Sequence, residues 1–348
     1  MLNPGEVTLE QLAIHYVGNP IQDELLMLSD DPVVLKDDTV LHLLQQYFFK
    51  PFKGDSYYHL MHEAEISLNE VFSAAHTIFN NPDALFEQSR KLAKLLYDKT
   101  DHPNIKGGEF YVAYLTNCQT EGEMTDAIGL FKSETRETYL KVFPDGTRYG
   151  IEQREGININ KLDKGCLIFN IEAEKGYKVA MVDTVSRGEE AAYWKDNFLH
   201  VKAREDSFYH TQNYMHLTKD FVKDVFNDEH GVDRSEQIVM MNRSAGYFDE
   251  NKEFERNHFE SEVMQEPEVI EAFNDYREKY QRDKNMPLYD EFAISPSAVK
   301  GNKKIFKSIL KLDKNFHVYI HGNRDYITRG FDEESGMHFY QLFFRSES

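Results

Sequence analysis

A series of short apolar segments, joined by very short polar turns between residues 107 and 183, constrains the fold most. The turns Glu121-Gly122, Asp145-Gly146, Lys164-Gly165 and Lys175-Gly176 pair glycine with a polar residue, which is typical of β-hairpins. Connections this short cannot contain the crossover helix that parallel strands need, so we expect an antiparallel meander and not a Rossmann-type sheet. The predicted strands are 110–115, 127–131, 138–143, 149–153, 166–171 and 177–182.

Apolar residues at helical spacing flank this region on both sides. After two strands, 7–16 and 24–28, helices are predicted between 37 and 99, with a boundary at Asn81-Pro82-Asp83. Further helices are predicted over 191–230 and, broken near Gly246 and Pro267, over 233–284. A linker at 285–287 and 295–296, a basic helix from Ser297 to about Ile309, and strands 316–320, 326–331 and 337–344 complete the chain.

These elements predict an α+β protein. A central antiparallel sheet is expected with N-terminal and middle helical regions and a small C-terminal α/β hairpin domain. We place the domains at 1–190 for the α+β sheet domain, 191–286 for an acidic helical region, and 287–348 for the basic helix and β-hairpin.

Charge is distributed unevenly along the chain. The sequence has 40 Lys plus Arg against 60 Asp plus Glu, a net charge of −20, which excludes a uniformly basic protein that coats DNA as histones do. From Pro296 to the end there are nine basic and six acidic residues, so the preceding body carries −23. Such an acidic body with a basic C-terminal segment indicates an interaction surface.

No motif argues for an enzyme. The chain lacks a phosphate loop, GxGxxG, HExxH, GxSxG and an EF-hand loop, and its 14 histidines are scattered, most densely at His59 and His62. The two cysteines, Cys118 and Cys166, cannot supply a disulfide framework or a cysteine-based zinc site, and we expect buried thiols in strands. We therefore predict no catalytic residues, no metal and no cofactor.

The basic C-terminal segment is the candidate binding surface. On a helix from Ser297, lysines at three- and four-residue steps would form a cationic stripe that contacts phosphates without distinguishing bases. Two arginines flank Tyr326, where they either stack on bases or pack. A solvated helix face and an acidic protein partner remain alternatives. The predicted nucleic-acid-binding residues are Lys300, Lys303, Lys304, Lys307, Lys311, Arg324 and Arg329.

Seven segments carry a resemblance to a known family. They are LAIH (12–15), YVAYLTN (111–117), DAIGLFK (126–132), GININKLDKGCLIFNI (156–171), AYWKDNFL (192–199), KDFVKDVF (219–226) and FAISPSAVKGNKKIFKSI (292–309). In these segments and in the order of its elements, the chain resembles the bacterial nucleoid-associated proteins of the NdpA type. The resemblance implies a cytoplasmic protein of the nucleoid that binds DNA, directly or indirectly, and it supplies no known catalytic residues to carry over.

Three functions stay open at this point. The first is a non-enzymatic nucleoid-associated protein that binds DNA weakly and without sequence specificity, because the acidic body repels the duplex. The second is an acidic scaffold or DNA mimic whose residues 233–284 dock basic nucleoid proteins. The third is a hydrolase or nuclease whose carboxylates assemble only in the fold. No signal peptide or membrane-spanning run is apparent, and homodimerisation is left open.

Overall fold

The computed structural model describes residues 7–184, 192–306, 309–319 and 326–346. The chain forms two compact units, Met1–Arg204 and Glu205–Ser348, here called the N-terminal and C-terminal units. The domain boundaries expected at 190 and 286 stay a prediction.

An eight-stranded antiparallel sheet forms the centre of the N-terminal unit, in the order β10-β3-β9-β8-β5-β4-β1-β2. The antiparallel α+β prediction is confirmed. The short strands β3 and β10 and their pairing were not predicted. The strands of this unit are β1 Thr8–Val17, β2 Leu26–Met27, β3 Tyr57–Leu60, β4 Gly108–Thr120, β5 Glu123–Ser133, β6 Glu137–Asp145, β7 Arg148–Gly156, β8 Lys164–Phe169, β9 Lys178–Asp183 and β10 Val201–Ala203.

Both faces of this sheet are buried. Side chains alternate along a strand, so neighbouring residues belong to opposite faces. On β4, Val112 belongs to one hydrophobic cluster and Tyr111 to the other. The helices α2 Glu70–Asn80 and α3 Leu85–Asp98, with a π-helical segment Tyr193–Leu199, contribute to the first cluster. The helix α1 Asp38–Phe49 contributes to the second. The sheet therefore has helical segments on each side.

The turn predicted at Lys164-Gly165 is wrong. Both residues are buried at the start of β8. A Cβ on Gly165 would lie 2.8–3.0 Å from side-chain atoms of Leu162, Phe52 and Val182, so close packing and not a turn requires glycine here. The Asp145-Gly146 turn is confirmed, with Gly146 at φ +61° between β6 and β7, which form a separate two-stranded sheet.

An aromatic-rich core holds the helices of the C-terminal unit together. The expected break at Gly246 is wrong, because the helix Arg234–Glu250 continues through this partly buried position. A single glycine costs a helix only about 1 kcal/mol relative to alanine. Pro267 begins a helix, as predicted. The helices are α4 Ser207–Asp224, α5 Arg234–Glu250, α6 Arg256–Phe259, α7 Pro267–Lys284 and α8 Pro296–Asn302.

Short antiparallel strand pairs complete this unit. The pair β11 Glu253–Glu255 and β12 Glu291–Ala293 was not predicted, and β12 lies beside the expected linker. Leu288 and Ile294 from that stretch are buried in the helical core. The other pairs are β13 Ile309–Leu312 with β14 Phe316–Tyr319, and β15 Ile327–Asp332 with β16 Met337–Leu342.

Candidate nucleic-acid interface

Buried residues fix the short basic helix α8 to the helical core of the C-terminal unit. Ser295 caps the helix, since its hydroxyl accepts a hydrogen bond from the Ala298 amide at 3.3 Å, and Pro296 occupies the first turn. The Ser295 amide donates to the Thr211 hydroxyl on α4 at 2.9 Å. Val299 is buried on the inner side. The outward side chains of this segment are thereby held on a rigid support.

The predicted long basic helix is wrong beyond Asn302. A 3-10 turn, Lys303–Phe306, follows α8, and strand β13 begins at Ile309. Gly301 and Asn302 are poor helix formers, and the Asn302 side chain donates to the Ala298 carbonyl at 2.8 Å at the helix end. A continuous stripe running to Lys311 on one helix therefore does not form.

The structure brings together three of the predicted lysines. Lys300, Lys303 and Lys304 are exposed on α8 and the 3-10 turn. Phe306 anchors the end of this turn, where its ring lies 6.5 Å from that of Phe248 on α5. We call these three residues the lysine cluster.

One member of the lysine cluster has an acidic partner. Lys303 Nζ lies 3.1 Å from a carboxylate oxygen of Asp249 on α5, and both side chains are about half exposed, at 59% and 48%. An exposed ion pair of this kind contributes only about 0–1 kcal/mol, so a phosphate oxygen can compete for the ammonium group. Lys300 and Lys304 flank Lys303 in the same segment.

The other predicted residues lie elsewhere. Arg329 is exposed on β15, directly across from Tyr340 on β16. Burial raises the pKa of Tyr340, Arg329 lowers it, and Asp233 and Asp228 raise it again, so carboxylates and the arginine share these surroundings. Lys311 belongs to strand β13. Lys307 and Arg324 lie outside the described residues.

A buried cluster of charges in the N-terminal unit was not predicted. Lys132 on β5 and Lys164 on β8 lie directly opposite each other, at most 1% exposed. Lys132 Nζ lies 3.0 Å from Glu134 and donates to the Tyr193 hydroxyl at 3.0 Å, while Lys164 Nζ lies 3.1 Å from Asp183. Burial lowers the pKa of Lys132, and Glu134 opposes this shift. Because both ammonium groups are paired, this cluster is structural.

The sequence held only a weak signal for this cluster. Lys132 ends an apolar strand, DAIGLFK, and Lys164 stood in a predicted turn. A lysine at either position is ordinarily a solvated side chain. The carboxylates of Glu134 and Asp183 approach only through the pairing of β5, β8 and β9.

Both cysteines are buried, and His59 pairs with a carboxylate. Cys118 and Cys166 are buried in β4 and β8, as predicted, and burial raises the pKa of the Cys118 thiol to about 12. His59 Nε2 lies 2.6 Å from Glu172. Across the described ranges, no three His, Cys, Asp or Glu side chains are placed to hold a metal ion. The converging carboxylates that a nuclease would need are thus not found in this part of the chain.

Comparison with protein families identifies the chain's relatives. The family model described as nucleoid-associated protein YejK matches residues 13–335, nearly the whole sequence. The chain belongs to this family. The resemblance to nucleoid-associated proteins is therefore confirmed. A comparison with curated proteins gave no match. Among the described helices, none is long and apolar enough to cross a membrane.

Proposed function

We propose that this member of the nucleoid-associated family is a non-enzymatic protein of the cytoplasmic nucleoid that binds DNA directly, weakly and without sequence specificity. The proposed contact surface lies in the basic C-terminal segment and contains the lysine cluster. The observation that supports this proposal most is the exposure of three lysines on a helix and turn anchored by buried residues. DNA contact by Lys307, Lys311, Arg324 and Arg329 stays a prediction from the sequence.

Lysine suits contact with phosphates because its ammonium group is a compact charge that can reach several oxygen positions. Such contacts orient a protein on the duplex without distinguishing bases. DNA would exchange the Lys303–Asp249 pair for a Lys303–phosphate pair, while Lys300 and Lys304 add contacts on either side. The acidic remainder of the chain repels the duplex and restricts binding to this segment.

The salt dependence of binding tests the proposal. Each phosphate contact contributes a slope of about −0.9 to the plot of log affinity against log salt concentration. Three contacts would weaken binding about 40-fold between roughly 50 and 200 mM salt. We expect Lys300→Gln with Lys304→Gln to reduce the slope by about 1.8, measured by fluorescence anisotropy with a labelled duplex.

A matched control comes from the N-terminal unit. Lys91 and Lys94 are exposed on α3, so Lys91→Gln with Lys94→Gln removes the same net charge from another surface. An equal change of slope in both double variants would refute the assigned surface. Absence of binding by the unmodified chain at low salt would refute direct contact and leave indirect association through another nucleoid protein.

An acidic stripe favours a second candidate function, a scaffold that docks basic nucleoid proteins. Four exposed carboxylates recur at three- and four-residue steps on the outer side of α7, whose inner side buries Phe273. A pull-down from nuclease-treated lysate separates the two functions. Basic proteins that remain bound favour the scaffold, and partners lost with the nucleic acid favour DNA contact. The carboxylates are Glu268, Glu271, Asp275 and Glu278.

A further inference from the structure

Strands β6 and β7 form a ribbon whose apolar side chains are exposed on one face. In a strand, alternate residues point to the same side, and the register pairs Val142 with Ile151 and Leu140 with Gln153. Four large apolar side chains share this face, which we call the ribbon face. They are Leu140, Val142, Tyr149 and Ile151, with exposed fractions of 69%, 60%, 79% and 67%.

On the opposite face of the ribbon, aromatic rings pack over glycines and charged side chains form ion pairs. The Phe143 ring lies over Gly150, where an added Cβ would come within 2.6 Å of the ring, and the Tyr139 ring lies over Gly156. Glu152 on this face pairs with Arg154 at 2.7 Å. On this face Tyr139 is the one large apolar side chain that stays exposed, at 51%, whereas the ribbon face exposes four.

An isolated two-stranded ribbon is at best marginally stable in water. The described hydrophobic clusters of the molecule contain no side chain from 137–156, so the ribbon gains little from the rest of the fold. A contiguous exposed apolar patch of this kind marks an interaction site. The ribbon face consequently needs a partner.

We propose that this partner is a second copy of the chain, bound ribbon face to ribbon face about a two-fold axis. The ribbon carries three basic and four acidic residues, so it is nearly neutral in a chain of net charge −20. A near-neutral apolar face meets its own copy without the repulsion that separates the acidic surfaces. It also offers DNA no net positive charge, which makes this surface distinct from the lysine cluster.

The register of the ribbon suits a two-fold axis. The β-branched pair Val142 and Ile151 lies in the middle, with Leu140 towards the base and the Pro144–Tyr149 pair towards the tip. An axis through the middle pair places Tyr149 of one copy over Leu140 of the other, and the reverse. Such a self-complementary contact is what an isologous dimer requires.

The exposed area is sufficient for a weak dimer. A tyrosine side chain buries roughly 150–250 Å² and an aliphatic one about 60–120 Å² when fully buried. Because these side chains are 60–79% exposed, the four residues of two copies supply roughly 500–800 Å² of apolar area. At the apolar share of about 60% found in interfaces, the total is about 800–1,300 Å², near the lower limit of specific complexes. An interface of this size suits a reversible dimer, and we expect micromolar affinity.

Sedimentation velocity of the full chain at about 1–100 μM, without DNA, tests this dimer. Leu140→Glu places a charge in the ribbon face of both copies, and we expect the dissociation constant to rise at least about 100-fold. The matched control is Leu68→Glu, since Leu68 is an exposed leucine of the same unit, outside the ribbon. Urea unfolding followed by Trp194 fluorescence verifies that both variants fold.

Cross-linking supplies a second readout. Because Cys118 and Cys166 are buried, Val142→Cys adds one reactive thiol near the proposed axis. Packed sheets lie about 10 Å apart, so a bismaleimide of that length should link two copies, and Leu68→Cys should stay unlinked. A monomeric unmodified chain throughout the concentration range, a Leu140→Glu variant that dimerises unchanged, or an unlinked Val142→Cys variant would each overturn the proposal. The DNA assay is independent of these results.

Discussion

His15 is buried between β1 and α3, and we expect it to make the N-terminal unit sensitive to mild acid. Its side chain is only 2% exposed, and both ring nitrogens are engaged. Nδ1 accepts a hydrogen bond from the Ser29 amide at 3.1 Å. Nε2 lies 2.9 Å from the Ser89 hydroxyl, which itself donates to the Phe86 carbonyl at 2.8 Å, so Nε2 carries the proton. A second proton on Nδ1 would face an N–H donor.

Burial, followed by the nearby charge of Arg90, lowers the pKa of His15 from 6.5 to about 4. Between these pH values the unfolded chain binds a proton that the folded chain does not, so the free energy of unfolding decreases as the pH is lowered. The contribution is fully retained above pH 6.5 and lost as pH falls to about 4. Since each pKa unit corresponds to about 1.36 kcal/mol, the loss is about 3 kcal/mol.

Urea unfolding at several pH values measures this loss. Trp194, the one tryptophan in the sequence, is buried in the N-terminal unit and reports its unfolding. We expect the unfolding free energy of the unmodified chain to fall by about 3 kcal/mol more than that of His15→Gln between pH 7 and pH 4. His42→Gln, which changes an exposed histidine on α1, should behave like the unmodified chain. Parallel pH curves for the unmodified chain and His15→Gln would refute the reasoning.

Three further predictions concern single contacts. Asp249→Asn removes the competitor of Lys303 and should raise DNA affinity at low salt up to about fivefold in the anisotropy assay, with no change counting against the lysine cluster. Gly165→Ala should lower the unfolding free energy of the N-terminal unit by about 1–3 kcal/mol in Trp194 fluorescence, and an unchanged midpoint would contradict the described packing. Ser295→Ala should lower the free energy of unfolding by about 1 kcal/mol, measured by urea unfolding followed by circular dichroism. An unchanged free energy would contradict a capping role of this hydroxyl.

Local signals predicted most of the fold. Three of the four pairs of a polar residue and glycine indicated turns between consecutive strands, whereas Lys164-Gly165 lies inside β8. Helical spacing indicated α1, α2 and α3. The strands that were missed, β3 and β10, are short and pair with each other across about 140 residues of sequence. Their apolar pattern is too brief to identify, because a strand of three or four residues is defined by its neighbours. The basic helix was extended too far because charge spacing does not show where a helix ends.

The candidate site was predictable only in part. The exposure of Lys300, Lys303 and Lys304 followed from their position opposite buried apolar residues. The pairing of Lys303 with Asp249 joins residues 54 positions apart and depends on how α8 packs near α5. A lysine pattern in a sequence shows where charge is available, whereas the neighbouring carboxylates decide how much of that charge a ligand can use.

Three buried lysines allow the opening of the N-terminal unit to be followed by chemical modification. Lys132, Lys164 and Lys178 are at most 1% exposed, so an amine-modifying reagent cannot reach them while the sheet is intact. Their rate of modification therefore measures how often this unit opens, whereas the exposed lysine cluster reacts at once. One labelling time course, read residue by residue by mass spectrometry, therefore reports two things. Protection of the lysine cluster measures DNA binding, and modification of the buried lysines measures transient opening of the sheet.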